Sequence, residues 1–494
     1  MSASKSSYQQ IFKATSIFGG VQFFTIIITI IRSKLIAVLL GPVGMGIAGL
    51  LTSTLGLVTS FTNLGLARSA VRDISASNSS NDEDKICETV SVFQKLVWIT
   101  GVLGMLLTLV FSPLLSKMTF GNYNYSISFM ILSVTLLLGQ LTVGQSVIMQ
   151  SLRKISWMAK ASIYSSLIGL ITTIPLYYLY GKDGIVPAMI ISSLTIYIIQ
   201  HFFSRRIDIK KNVISFKEAI QKGNGMIKLG VVLSINGLIT TAASYVIRIF
   251  ISHSGSLEDV GLYTAGFSII NTYVGMVFSA MITDYFPRLA AVHQDRAKYN
   301  ELINQQIEVA LYIVSPLICA FLVFVNWIII VIYSSQFLPI IEMIQWGILA
   351  IFFKTLGWAI GVLLAAKGNS KHLFWNELIA NAYLLLLNIG GYYLDGLRGL
   401  GISFLVGYLL HFLQIYFFTK KKYGFALENK VIVSFFTVLV IGVLCFLTVN
   451  SFQQLQAYLI GGILVIGVAG FSFYRLNEKT DMLKILRDKL RKDK

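Results

Sequence analysis

Long uninterrupted apolar runs dominate this chain. They fall near residues 11–38, 43–66, 89–111, 125–149, 157–180, 184–203, 225–251, 259–286, 303–333, 338–366, 372–393, 398–418, 429–449 and 455–474. An α-helix needs about 20 apolar residues to cross a hydrocarbon core roughly 30 Å thick. The pattern therefore predicts an all-α polytopic membrane protein with about fourteen transmembrane helices. Helices five and six meet at Gly181-Lys182-Asp183-Gly184, and helices eleven and twelve at Asp395-Gly396-Leu397-Arg398, so both pairs are joined by very short turns. The first ten residues are polar, and the run that follows has no small-residue cleavage site. It is expected to remain as a helix rather than be removed as a signal peptide.

The runs also repeat. The segment from Arg32, RSKLIAVLLGPVGMGIAGLL, resembles the segment from Arg248, RIFISHSGSLEDVGLYTAGF. Tyr177-Tyr178-Leu179 with Gly181 and Gly184 matches Tyr392-Tyr393-Leu394 with Gly396 and Gly399. Both matches share an offset of about 215 residues, the length of six helices plus connections. An even number of helices makes the repeat parallel, with a pseudo-twofold axis along the membrane normal. The expected organisation is a six-helix lobe over 1–206, a cytoplasmic linker over 207–221 and a second six-helix lobe over 222–420. Helices thirteen and fourteen follow within 421–474, and a basic tail closes the chain at 475–494. The tail places Met482, Leu483, Ile485, Leu486 and Leu490 among basic residues. It reads either as an amphipathic helix on an anionic leaflet or as a solvated tail.

Composition agrees with lipid as the main solvent. Mean hydropathy is +0.74, and only 13% of residues are charged, against roughly 25% in soluble domains. The net charge of +18 would suit a nucleic-acid binder if it lay on one face. It is instead spread over the short loops on one side. If the N-terminus is cytoplasmic, all but seven of the 40 lysines and arginines lie in cytoplasmic segments or adjacent helix ends. The seven are Arg32, Lys34, Lys117, Lys182, Arg248, Lys354 and Arg398. That asymmetry predicts cytoplasmic N- and C-termini and no nucleic-acid partner. Cys87, Cys319 and Cys445 have no paired spacing, so neither a disulfide framework nor a metal site is expected.

Ionisable residues inside spans are costly and usually face a cavity or a partner. Arg32 lies late in helix one, Arg248 occupies the repeat-equivalent place in helix seven, and Lys354 lies near the middle of helix ten. Together they suggest a cationic cavity for an anionic group, since guanidinium and ammonium both suit phosphate oxygens. The plainer alternative for the arginines is snorkelling to the interface. Glu377 and Asp284 are candidates for ion coupling, and Glu377 either pairs with Lys354, carries a coupling proton or is an interfacial carboxylate. Gln140, Gln145, Asn236, Asn271 and Asn388 either line the same path or bond between helices.

Two motifs mimic chemistry. Gly44, Gly46 and Gly49 form a GxGxxG with Asp73 downstream, but no strand precedes them, as a dinucleotide fold requires. They open a membrane helix, where small residues permit close packing. Asp82-Glu83-Asp84 resembles an acidic metal pair but lies in a polar connection with no catalytic domain around it. No cofactor, metal or enzymatic activity is expected.

The run Ser33-Lys34-Leu35-Ile36-Ala37-Val38-Leu39-Leu40-Gly41-Pro42, then Gly44-Met45-Gly46, Leu64-Gly65-Leu66 and Ala70-Val71-Arg72, resembles the Wzx-type O-antigen translocases. These are polysaccharide flippases of the MOP superfamily. Leu387-Asn388 followed by Gly399-Leu400-Gly401 resembles the same family. The resemblance covers about 1–420. It implies a V-shaped cleft between two lobes in a bacterial inner membrane and a polyprenyl-pyrophosphate-linked oligosaccharide as substrate. The polyprenyl tail would stay among the membrane lipids, since each CH₂ taken from them costs about 0.8 kcal/mol. It implies Arg32, Arg248, Lys354 and Asn388 as substrate-binding residues and a polysaccharide polymerase or other assembly proteins as partners. Fourteen spans are more typical of the MurJ-like lipid II flippases, and a MATE-type drug or cation exporter is the further alternative. An O-antigen polymerase would carry a large outer loop, which this chain lacks.

Overall fold

The computed structural model describes residues 2–79, 82–207 and 214–480. All regular structure among them is helical. The helices are α1 (Ser2–Thr62), α2 (Leu66–Ser79), α3 (Glu83–Val110), α4 (Ser112–Phe120), α5 (Ser126–Ser151), α6 (Ile155–Tyr180), α7 (Ile185–Ser204), α8 (Phe216–Lys222) and α9 (Asn224–Ser254). They continue as α10 (Leu257–Phe267), α11 (Gly275–Val292), α12 (Arg296–Val323), α13 (Val325–Ile332), α14 (Ile341–Ala366), α15 (Ser370–Tyr423), α16 (Asn429–Ser451) and α17 (Gln454–Thr480).

Eleven helical stretches among the described residues are long and apolar enough to cross a membrane. Two of them, Ser156–Ser204 and Ser370–Tyr423, carry two expected spans each, and a third, Ile27–Thr62, is the later part of α1, which covers both of the first two expected spans. The 61-residue α1 breaks at Gly41, where φ is 64° and ψ −174°. Pro42 follows, and a proline disfavours helix in the residue before it while suiting the first turn of the next. The stretch from α6 to α7 reverses through a short 3₁₀ turn, Gly181–Gly184. The 54-residue α15 would be about 80 Å long at 1.5 Å per residue, far more than a bilayer accepts, and it reverses at Asp395 and Gly396. Divided at these breaks, the helices among the described residues match the fourteen expected runs.

The repeat is visible in these two reversals. Gly181 has φ 53° and ψ −125°, and Gly396, its counterpart, has φ 52° and ψ −135°. Such φ values strain any residue with a Cβ, which explains why both copies keep glycine there. In each hairpin the later glycine presses on the preceding helix. A Cβ on Gly184 would lie 2.3 Å from the Leu176 carbonyl oxygen, and one on Gly399 would lie 1.9 Å from that of Gly391.

The chain forms two compact units, Ile31–Gly261 and a second made of residues 1–30 and 262–494. In the first, Leu51, Phe129, Leu132 and Ala188 form one apolar core, and Ile74, Val90, Phe93 and Ala219 another. Phe216 of the short α8 receives the Lys95 ammonium 4.5 Å above its ring. Asp82 caps α3 by accepting the Lys85 amide at 3.0 Å, and Glu83 and Asp84 fill its first turn. These acids therefore serve a helix N-terminus, where negative charge is stabilising.

In the second unit α12 is the central helix, buried along almost its whole length. Apolar contact alone gives little drive for helix association in lipid, so polar contacts and close packing carry it. Tyr312 and Ser434 hydroxyls meet at 2.7 Å, joining α12 to α16. Ser315 and Ser472 meet at 3.2 Å, joining α12 to α17. Lys479 bonds the buried Glu308 carboxylate. The connection before α16 is tied to α12 as well, with Asn304 donating to the Ala426 carbonyl and accepting from the Glu428 amide. Helices thirteen and fourteen are thus built onto helix nine. In the basic tail, residues 475–480 extend α17. The expected amphipathic stretch beyond them lies outside the described residues.

Candidate functional site

Lys354 sits half-buried on α14. Its ammonium donates to Asn271 Oδ1 at 2.7 Å and lies 5.0 Å from the centre of the Tyr408 ring. The Tyr408 hydroxyl donates to the same Asn271 oxygen at 3.0 Å. Asn271 is presented by a single π-helical turn, Ser268–Tyr273, between α10 and α11. Such turns frequently mark functional positions, because the extra residue redirects side chains. His411, one turn from Tyr408 on the second half of α15, lies within electrostatic reach of Lys354.

The partners of Lys354 are neutral dipoles. They solvate the ammonium without adding an opposing charge. Asn271 spends its oxygen on Lys354 and Tyr408, which leaves its buried Nδ2 donor unpartnered. An amide N–H beside an ammonium is a donor set for an oxyanion. A buried donor without a partner is costly, and a ligand that accepts from it recovers that cost.

The other anticipated residues are distributed as follows. Arg32 is exposed on α1, nine positions before the Gly41 break, within electrostatic reach of Tyr177. Arg248 is half-buried on α9, with Nη1 donating to the Ser244 carbonyl at 2.8 Å and bonding the Ser244 hydroxyl. Both belong to the unit Ile31–Gly261, whereas Lys354, Asn388, Glu377 and Asp284 belong to the other. Asn388 is buried on α15 with its Oδ1 unpartnered. Glu377 is half-buried on α15, near Tyr383, and it is Asn271 that receives the Lys354 ammonium. Asp284 is tied to Arg288, one turn along α11, at 3.3 Å.

The sequence marks Lys354 and Asn271 as polar residues in apolar runs. It does not single out Tyr408 or His411, since a tyrosine and a histidine in a span read as interfacial or packing residues. Only the crossing of α14 with α15 brings them to Lys354.

A second contact lies within the unit Ile31–Gly261. The first turns of α10 and of the second half of α1 touch through their backbones. A Cβ on Gly46 would fall 2.0 Å from the Leu257 carbonyl oxygen, and one on Gly261 would fall 1.8 Å from that of Pro42. Gly46 and Gly261 are repeat equivalents, as are Pro42 and Leu257. The GxGxxG of the sequence thus supplies a helix crossing.

The fold is that of polytopic membrane transporters. One solved structure, "Lipid II flippase MurJ, inward closed conformation", matches with a TM-score of 0.67 at 16% identity, over 93% of this chain and 99% of that one. An inward-facing multidrug resistance MATE family transporter of the MOP superfamily matches with a TM-score of 0.67 at 14% identity, over 80% and 94%. An outward-facing structure of such a transporter gives 0.58 at 15% identity, over 85% and 96%. No curated protein matches the chain. The polysaccharide biosynthesis protein family matches residues 35–342, more than half of the chain, and the chain belongs to that family.

Proposed function

We propose that the protein is a flippase that carries a polyprenyl-pyrophosphate-linked oligosaccharide, an O-antigen unit or similar, from the cytoplasmic to the periplasmic leaflet. The observation that carries this reading is the Lys354 ammonium, bonded to a neutral amide, beside the unspent Asn271 donor, inside a member of a polysaccharide biosynthesis family. A pyrophosphate offers oxygens to both groups. Arg32 and Arg248 would extend the cationic path, Asn388 would meet sugar hydroxyls, and Glu377 or Asp284 would carry any ion coupling. The six-helix lobes over 1–206 and 222–420 would alternate in exposing that path, with both termini in the cytoplasm of a bacterium and the chain in its inner membrane. A polysaccharide polymerase or other assembly proteins would take the product. A drug or cation exporter is the second reading; of its two candidate carboxylates Asp284 is held by Arg288, and the half-buried Glu377 is the one that a Glu377→Gln variant would test.

The test is deletion with analysis of lipid-linked intermediates, followed by complementation. Loss of the protein should cause polyprenyl-linked oligosaccharide to accumulate, and sugar analysis of that pool would distinguish an O-antigen-type unit from lipid II. Arg32→Ala with Arg248→Ala should not restore export. Normal polymer export by a stably expressed double variant would remove the arginines from the path.

A further inference from the structure

The unit Ile31–Gly261 holds a groove of about 640 Å³ that the proposed transport path does not use. Small-molecule sites typically span roughly 300–1,000 Å³. Its floor is Ile47 and Leu51 of α1, both almost fully buried. Ile131 of α5 and Ile190 of α7 form its walls. Ile131 is 47% exposed, so the groove opens sideways from helices that cross a bilayer. What lies beside such an opening is hydrocarbon, and an apolar channel facing hydrocarbon takes up an acyl chain at little cost.

The far end of the groove is polar. The turn between α6 and α7 sets Lys182 and Asp183 side by side on its rim, with Tyr125 at the head of α5. Tyr125 is stacked on Phe120 with ring centres 3.8 Å apart and feels the Asp183 charge. Headgroups lie at this depth, where tyrosine and lysine are favoured. Lys182 is also one of the few cations on the side that the basic residues avoid. A purely anionic headgroup would meet Asp183 as well as Lys182. A zwitterion with phosphate and ammonium in series satisfies both, and a primary ammonium has the N–H donors that a carboxylate accepts.

We propose that this groove is a structural lipid site for phosphatidylethanolamine. One acyl chain lies against Ile47, Leu51, Ile131 and Ile190, the phosphate sits on Lys182 and the ammonium on Asp183.

The test is native mass spectrometry of the full-length protein in detergent, exposed to equimolar phosphatidylethanolamine, phosphatidylglycerol and phosphatidylcholine. Wild type should retain phosphatidylethanolamine about fivefold over the other two, which corresponds to roughly 1 kcal/mol. Ile131→Trp, which fills the groove, should lower that retention to the level of the other lipids. Lys182→Ala with Asp183→Ala changes only exposed rim residues and should erase the preference while the protein stays monodisperse. If Ile131→Trp does not fold, the rim variant decides. Equal retention of the three lipids by wild type, an unchanged preference in the rim variant, or displacement of phosphatidylethanolamine by an equimolar polyprenyl phosphate would each overturn the proposal.

Discussion

Replacing Gly46 by alanine adds one methyl group at the crossing of α1 and α10. That methyl carbon would lie 2.0 Å from the Leu257 carbonyl oxygen, whereas even close carbon–oxygen contacts are about 3.3 Å. The two backbones must separate by about 1 Å, because neither atom belongs to a flexible side chain. Overpacking of this kind costs about 1–3 kcal/mol. Alanine returns up to about 1 kcal/mol through its better helix propensity. The net loss should be about 1–2 kcal/mol, a factor of roughly 5–30 in the population of the closed crossing. Hydrogen-exchange mass spectrometry on the purified protein should therefore show faster exchange in the first turns of α10 and of the second half of α1. Gly261→Ala meets the Pro42 oxygen and should behave alike. The double variant should cost less than the sum of the two, since one separation relieves both clashes. Unchanged exchange in both single variants, or strict additivity, would refute the idea that the two glycines share one contact.

At the cationic site, Lys354→Met should leave the melting temperature near wild type and abolish lipid-linked oligosaccharide export in a complementation assay, with Lys354→Arg restoring part of it. Asn271→Ala removes a charge-assisted hydrogen bond worth about 1.5–3 kcal/mol and should lower export about tenfold or more. Between α12 and α17, Glu308→Ala removes the charge-assisted bond from the half-buried Lys479 and should destabilise the protein by about 1.5–3 kcal/mol, read as a fall in thermal unfolding temperature. Glu308→Leu with Lys479→Leu should recover most of it. Gly396→Ala and Gly181→Ala should each cost about 1–2 kcal/mol for forcing a Cβ to positive φ, and nearly equal losses are expected because the two turns share one conformation.

The passes were legible in the chain because a bilayer imposes its thickness on each helix, one run at a time. The run of membrane-spanning helices, the absence of strands among the described residues and the reversal at Gly396 need only local sequence and the requirement that backbone groups bond within the segment. The repeat was legible for a similar reason. Glycine at positive φ leaves a mark that survives when the apolar residues around it have drifted. Lys354 stood out because a charge in an apolar run has few structural explanations. Its surroundings did not, because Asn271, Tyr408 and His411 come from segments up to 140 residues apart and meet only through helix crossings. The same holds for Gly46, whose sequence context allowed packing but named no partner. Hydropathy is a property of each segment, whereas the pairing of helices depends on which small and polar side chains meet at a crossing. Hydropathy along the chain is enough to locate the membrane helices and the improbable charges within them. It takes the helix crossings to bring Asn271 and Tyr408 to Lys354, Lys479 to Glu308, and two glycines of different repeats against one another's helices.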